Sequence, residues 1–228
     1  MGSFKGGYTG RLLRVDPTEG RITTEKVPDV EQWLGPRGWN AWIGWKETGP
    51  GVGPFDPENR IVFSAGPLVG TGAPTAGRMT ISTIAPRNYP TPMWVSASIG
   101  GYIGAELKYA GYDGVVVFGR ANAPCYLLIE DDRVSLRDAS GLWGQGVYHT
   151  EQHLKERHSQ AHQIMTSFSA HRFRGHPSVA PVVMLHIFTT RATTSALDKA
   201  KDTIAKLTKR LETVDKLEAR ITKLEKKT

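Results

Sequence analysis

Asp56-Pro57-Glu58-Asn59-Arg60-Ile61-Val62-Phe63-Ser64-Ala65-Gly66-Pro67-Leu68-Val69-Gly70-Thr71-Gly72-Ala73-Pro74-Thr75-Ala76-Gly77-Arg78-Met79-Thr80-Ile81-Ser82-Thr83 decides how this chain folds. Ile61–Ala65 is a short apolar run bounded by turn residues, as a buried strand requires, and Arg78–Thr83 is a second one. The four glycines and two prolines of Gly66–Arg78 leave neither helix nor strand an easy path. Backbone N–H groups in such a segment can approach an anion or a flat heterocycle closely. Arg78 adds a planar, permanently charged fork suited to phosphate. The pattern is neither a dinucleotide fingerprint nor a Walker loop, because a strand follows it and no Gly-Lys-Ser/Thr is present. A long structural turn carrying a surface arginine has the same local pattern, and both readings stay open at this level.

Toward the N-terminus, Tyr8–Val15 and Arg21–Val27 read as two strands joined by the turn Asp16-Pro17-Thr18-Glu19-Gly20. Asp29 is expected to cap a helix through Val30, Trp33 and Leu34, with Gly35-Pro36 breaking or offsetting it. Trp39, Trp42 and Trp45 recur at helical spacing and are expected to form a core face. Toward the C-terminus, Ser96–Gly104 is a second glycine cluster that opens a short helix, Ala105–Ala110, ended by Gly111. Ser98 suits its N-cap, and free N–H groups at a helix start favour anions. Strands are expected at Gly114–Phe118, Cys125–Glu130 and Arg133–Arg137, with Cys125 a small buried hydrophobe.

Charge and composition divide the chain of 228 residues into three pieces. Residues 1–148 hold 14 basic and 14 acidic residues, all six tryptophans and 24 of the 25 glycines. Residues 149–196 hold 5 basic and 2 acidic residues and all seven histidines. Residues 197–228 hold 10 basic and 6 acidic residues, with no aromatic, glycine or proline. The net charge of +7 is thus 0, +3 and +4 in order along the chain. The glycine-rich part has no basic excess, so nucleic acid is not an expected partner. No run of apolar residues is long enough to cross a membrane and no secretory leader opens the chain, so a cytoplasmic location is expected. The single cysteine cannot hold a zinc or iron–sulfur site alone.

With these residues in view, the chain resembles the N-terminal domain of aldehyde ferredoxin oxidoreductases, the tungsten (sometimes molybdenum) pterin enzymes. The resemblance rests on Asp56–Phe63, Ala65-Gly66-Pro67-Leu68, Ala73-Pro74-Thr75 and Gly77-Arg78. Gly100-Gly101-Tyr102, Glu106-Leu107-Lys108-Tyr109-Ala110-Gly111-Tyr112-Asp113, Arg137–Ser140 and Leu142-Trp143-Gly144 follow in the family's order. Gly10–Val15 and Arg37-Gly38 fit as well, so the match covers roughly residues 7–165. It implies an α+β domain, rich in β-sheet with few helices, forming a base for a metal held by two pyranopterins.

The resemblance assigns Arg78 to a pterin contact lying between the pterin and an iron–sulfur cluster. Ser98 stands where the family commonly has asparagine, whose backbone carbonyl helps bind a magnesium bridging the pterin phosphates. A serine keeps that carbonyl. Gly100, with Gly101 beside it, takes the next phosphate contact. The implied chemistry is oxidation of an aldehyde to a carboxylic acid, with electrons passing through a 4Fe-4S cluster to ferredoxin. The cluster's cysteines and the substrate channel belong to later domains of the family, so this chain does not ligate the cluster, and activity alone is not expected of it.

The match fails near Thr166, where the family's Gly-Pro-Ala-Gly-Glu-Asn segment is missing, as is its later Gly-Arg-Gly-Gly stretch. Residues 1–165 are therefore read as the family domain, 166–196 as an irregular linker with the marks of a frame change or splice, and 197–228 as an amphipathic helix. Leu197, Ala200, Ile204, Leu207, Leu211 and Val214, then Leu217, Ile221 and Leu224, form an apolar stripe that needs a partner. Self-association as a coiled coil is one expectation. It also supports a competing account, a non-catalytic oligomeric adaptor in which the glycine loops are structural. His149/His153 and His158/His162 are each spaced to share a helix face, which suits a metal pair or an ordinary solvated face.

Overall fold

The computed structural model describes residues 6–29, 31–86, 90–158, 163–165 and 184–188. The expected helix over 197–228, and any association through it, lies outside the described residues. Among the described residues, most of the strands sit where the apolar runs predict them.

Strands β1 (Arg11–Asp16) and β2 (Arg21–Lys26) form the expected hairpin, with Val15 opposite Ile22. The Asp16 carboxylate closes the turn by accepting the Thr18 and Glu19 N–H groups at 3.0 and 3.4 Å. Helix α1 spans Pro36–Glu47, so the helix expected from Asp29 is displaced. Asp29 makes only a turn: its carboxylate accepts the Glu31 and Gln32 N–H groups, and its carbonyl that of Trp33 at 3.0 Å. Gly35, at φ +88°, cannot continue a right-handed helix, and Pro36 supplies the favoured first residue of a new one.

Strands β3 (Ile61–Ala65), β4 (Met79–Ala85) and β5 (Met93–Ile99) are followed by helix α2 (Ile103–Tyr109) and strand β6 (Gly114–Val117). β5 is the element the sequence conceals. Its serines fall in the stretch read as a glycine cluster opening a helix, but Ser82 and Ser96 share a hydroxyl hydrogen bond of 2.8 Å across the β4–β5 ladder, and Asn40 of α1 donates to Ser82 Oγ at 3.0 Å. Ser98 therefore lies in a strand and is not a helix cap; Tyr102 occupies that position without a side-chain cap bond.

These strands make one six-stranded sheet in the order β2-β1-β6-β3-β4-β5, parallel only between β1 and β6. β6 reads Gly-Val-Val-Val and is buried throughout, as a central strand covered on both faces must be. A second sheet, β8-β7-β10-β9, comprises β7 (Cys125–Glu130), β8 (Arg133–Asp138), β9 (Gln163–Met165) and β10 (Met184–Phe188). β10 forms inside the stretch read as irregular and pairs in parallel with β7. Helix α3 (Val147–Arg157) precedes β9.

Three apolar clusters hold the layers together. Leu13, Val15, Phe63, Val115 and Val117 on one face of the first sheet meet Leu107 of α2 and Leu127 and Ile129 of β7. On the opposite face, Leu12, Val62 and Val116 pack against Trp39 and Ile43 of α1. Leu154 of α3 covers Tyr126 and Leu128 on the outer side of the second sheet. The tryptophan stripe is thus a core face only in part: Trp39 is fully buried, but Trp45 is 89 % exposed. The buried face of α1 runs Trp39, Asn40, Ile43, Gly44, and Gly44 is small because the Trp94 ring fills the space a Cβ would need. No described helix is long and apolar enough to cross a membrane.

Candidate functional site

The loop between β3 and β4 follows from its residues. Val69 is buried and anchors it, with N–H to carbonyl bonds from Val69 to Gly66 (3.2 Å) and from Thr71 to Leu68 (3.3 Å). Gly70 and Gly72 turn the chain at φ +76° and +83°, and Thr75 does so at +60°. A β-branched residue in that region is held there by its surroundings at some cost in strain. The chain then enters β4 through Gly77 and Arg78.

The antiparallel register of β4 and β5 brings the second glycine cluster to the same place. Met79 lies opposite Ile99 and Thr80 opposite Ser98, so Arg78 leaves β4 beside the point where the chain runs on from β5 into Gly100 and Gly101. A Cβ on Gly77 would stand 3.5 Å from the Gly101 carbonyl oxygen. Gly104, in the first turn of α2, closes the group from below: a Cβ there would press on Met79 and Val69 at 3.2 Å. Arg78, Ser98, Gly100 and Gly101 therefore sit at one end of one sheet, on neighbouring chain segments.

The surface there is open, with one arginine. Arg78, Ser98, Gly100 and Gly101 are all exposed. Nothing lies within 4 Å of the positions a Cβ would take on Gly72, Gly100 or Gly101, and Gly101 adopts φ +88°. Among the described residues the Arg78 guanidinium makes no ion pair or hydrogen bond, unlike Arg11, Arg14 and Arg60, which are each paired with a carboxylate. An arginine without a carboxylate partner among the described residues, on a segment next to open glycine backbone, suits an anionic ligand with a flat ring attached. Gly104 belongs to this construction and carries no local signal for it, because its neighbours Val69 and Met79 are distant in sequence.

The other candidates separate. Cys125 is half-buried in β7, and burial, with Asp138 nearby, pushes its thiol up, away from the thiolate a metal needs. His149 and His153 are exposed on α3, and no group of three potential ligands occurs among the described residues. His158 ends α3 and shares a 2.9 Å hydrogen bond with the Tyr126 hydroxyl; burial, and then Arg157, hold its pKa down. His162 lies outside the described residues.

The family described as aldehyde ferredoxin oxidoreductase, N-terminal domain, matches residues 12–168. The chain is 44 % identical over 163 residues to the tungsten-containing aldehyde ferredoxin oxidoreductase of Pyrococcus abyssi, covering 71 % of this chain and 26 % of that one. It is 37 % identical over 166 residues to the aliphatic sulfonate oxidoreductase, WOR-like subunit, of Pyrococcus furiosus, covering 67 % and 25 % respectively. Among solved structures it resembles the active site complex BamBC of benzoyl coenzyme A reductase bound to 1,5-dienoyl-CoA. That match has a TM-score of 0.64 at 39 % identity, over 67 % of this chain and 23 % of that one. The chain spans about a quarter of the length of these relatives. By sequence and by fold, the chain belongs to the aldehyde ferredoxin oxidoreductase family, and residues 12–168 are its N-terminal domain.

Proposed function

We propose that this domain seats the phosphate end of a tungsten (or molybdenum) bis-pyranopterin, as one part of an enzyme that oxidises aldehydes to carboxylic acids. The observation that supports the reading is the β4–β5 register, which brings the chain at Arg78 alongside the open backbone of Gly100 and Gly101. The residues present fit the group. Arg78 offers a charged fork, Gly100 and Gly101 offer backbone that a side chain would block, and the Ser98 carbonyl is the proposed magnesium contact between phosphates. When bound, the metal supplies the two-electron redox chemistry, and ferredoxin accepts the electrons. The chain's own part is to bind and orient. With Cys125 as its one cysteine, it does not supply the thiolates of a 4Fe-4S cluster, which the proposal assigns to the rest of the enzyme.

The test is tungsten and pterin content of the full chain purified from a host that makes the cofactor, beside Arg78→Ala. Losing a charged hydrogen bond of about 1.5–3 kcal/mol lowers retention roughly ten- to hundredfold. Arg133→Ala, on an exposed position of β8, is the control and leaves retention unchanged. Stoichiometric cofactor in Arg78→Ala would remove Arg78 from the site.

A further inference from the structure

The Gly66–Arg78 loop is exposed over most of its length, yet its first half is fixed by something buried. Lys108, near the end of α2, and Asp113, just before β6, form an ion pair whose side chains are 6 % and 0 % exposed. The sequence folds them together through Gly111. At φ +93° it reverses the chain after the helix, with the Gly111 N–H bonded to the Lys108 carbonyl at 3.0 Å and the Tyr112 N–H to that of Leu107 at 3.1 Å. Both charges then use their remaining valences on the N-terminal segment. Lys108 Nζ donates to the Gly7 carbonyl at 2.6 Å and lies over the Tyr8 ring, and the Asp113 carboxylate accepts the Thr9 and Gly10 N–H groups at 3.0 and 2.6 Å.

That segment touches the loop directly. Gly7 runs at φ +77° so close to Pro67 that any Cβ would collide with the Pro67 carbonyl oxygen. Lys108 touches the loop as well: a Cβ on Gly70 would lie 3.3 Å from the Lys108 Cβ and the Tyr109 ring. One buried pair thus holds residues 7–10 under the start of the loop while its own stem abuts the loop's first turn. Tyr8 extends the arrangement to α1, its hydroxyl accepting the Gly35 N–H at 3.2 Å.

We infer that Lys108 and Asp113 are positioning residues whose pairing, through residues 7–10, sets the conformation of the loop that carries Arg78. The inference deepens the pterin-site reading and rests on it for its purpose. A buried pair of this kind is costly to desolvate, and removing one partner strands the other. Its hydrogen bonds go to a segment with no other buried charge to satisfy, so its effect is felt there first.

The test is amide hydrogen exchange on the full chain without cofactor, comparing wild type with Asp113→Asn and Lys108→Met. The expected result is exchange across 66–72 accelerated about tenfold or more beyond any acceleration of the amides of β3 and β6. A uniform acceleration through the whole sheet, or an unchanged loop, would overturn the inference. Gly7→Ala guards against a variant that fails to fold: it drives the segment off Pro67 with both charges intact, and the same local acceleration is expected. Protection of 66–72 unchanged in Gly7→Ala also overturns it. Tungsten and pterin retention, measured in parallel, keeps the two claims apart. A wild-type chain that takes up no pterin defeats the site reading alone, whereas a loop indifferent to these substitutions defeats the positioning role alone.

Discussion

Glu47 shows how one residue at the end of α1 ties three other elements together. Its carboxylate takes both Arg14 Nη groups of β1 at 2.5 Å and Arg60 Nε at 3.3 Å, and Arg14 reaches Glu25 of β2 at 2.8 Å. Burial would raise the carboxyl's pKa, but the arginines outweigh burial and hold it below its ordinary value. A carboxyl depressed on folding contributes stability above its unfolded pKa, near 4.3, and loses it as pH falls through the lower folded value. Glu47→Gln is therefore expected to destabilise the fold by about 1–2 kcal/mol at neutral pH, part of the pair's attraction being screened by solvent. Urea midpoints of variant and wild type should converge below about pH 4. An equal gap at pH 7 and pH 3 would contradict this. Arg78, Gly100 and Gly101 were legible as candidates only through the family resemblance, because a structural turn with a surface arginine has the same local pattern. Gly7 was not, since nothing local distinguishes a glycine pressed on a carbonyl from one in an open turn.

At the scale of elements, α1 is attached to the sheet by Asn40 as much as by its aromatic residues. Asn40 is fully buried, donating to Ser82 Oγ and, at 3.4 Å, to the Val62 carbonyl, and Ser82 hands the contact on to Ser96. Asn40→Ala leaves that hydroxyl pair without its donor and should cost about 1–3 kcal/mol, read as a lower urea midpoint at unchanged slope. A midpoint within error of wild type would assign the attachment of α1 to Trp39 and Ile43 alone. β3, β6 and β7 were visible because they are buried nearly throughout and so read as short apolar runs, and β1 and β2 because a turn joins two strand-like stretches. β5 was hidden because Ser96, on the same face as Trp94, is a polar residue whose partner, the Ser82 hydroxyl, a linear reading does not see. The offset of α1 from Asp29 to Pro36 was half visible, since Gly35-Pro36 announces a boundary without saying on which side the helix lies.

Across the whole molecule, the two sheets share a core. Leu127 is fully buried among Leu13, Val15, Phe63 and Val115 of the first sheet, although it belongs to the second. Leu127→Ala should cost about 2–5 kcal/mol. Tryptophan fluorescence, which reports mainly on the α1 side of the first sheet, should still lose its signal together with the far-ultraviolet circular dichroism. Separate transitions would show that the sheets unfold independently. The convergence of the two glycine clusters was open to sequence reasoning only as an expectation, because it needs the β4–β5 pairing and not the clusters themselves.

The side-by-side alignment of β1 and β6, with Leu12 matched to Gly114 and Val15 to Val117, sets an order of events at birth. The first hairpin emerges from the ribosome long before its inner neighbour is made, and β3 must wait for that same neighbour to be wedged between them. Closure across so long a stretch is slow, and until it occurs the nascent N-terminal hairpin carries a naked inner edge. Chaperone demand during synthesis should therefore peak before residue 114 clears the exit tunnel, and fall once the valines of β6 slot into the gap.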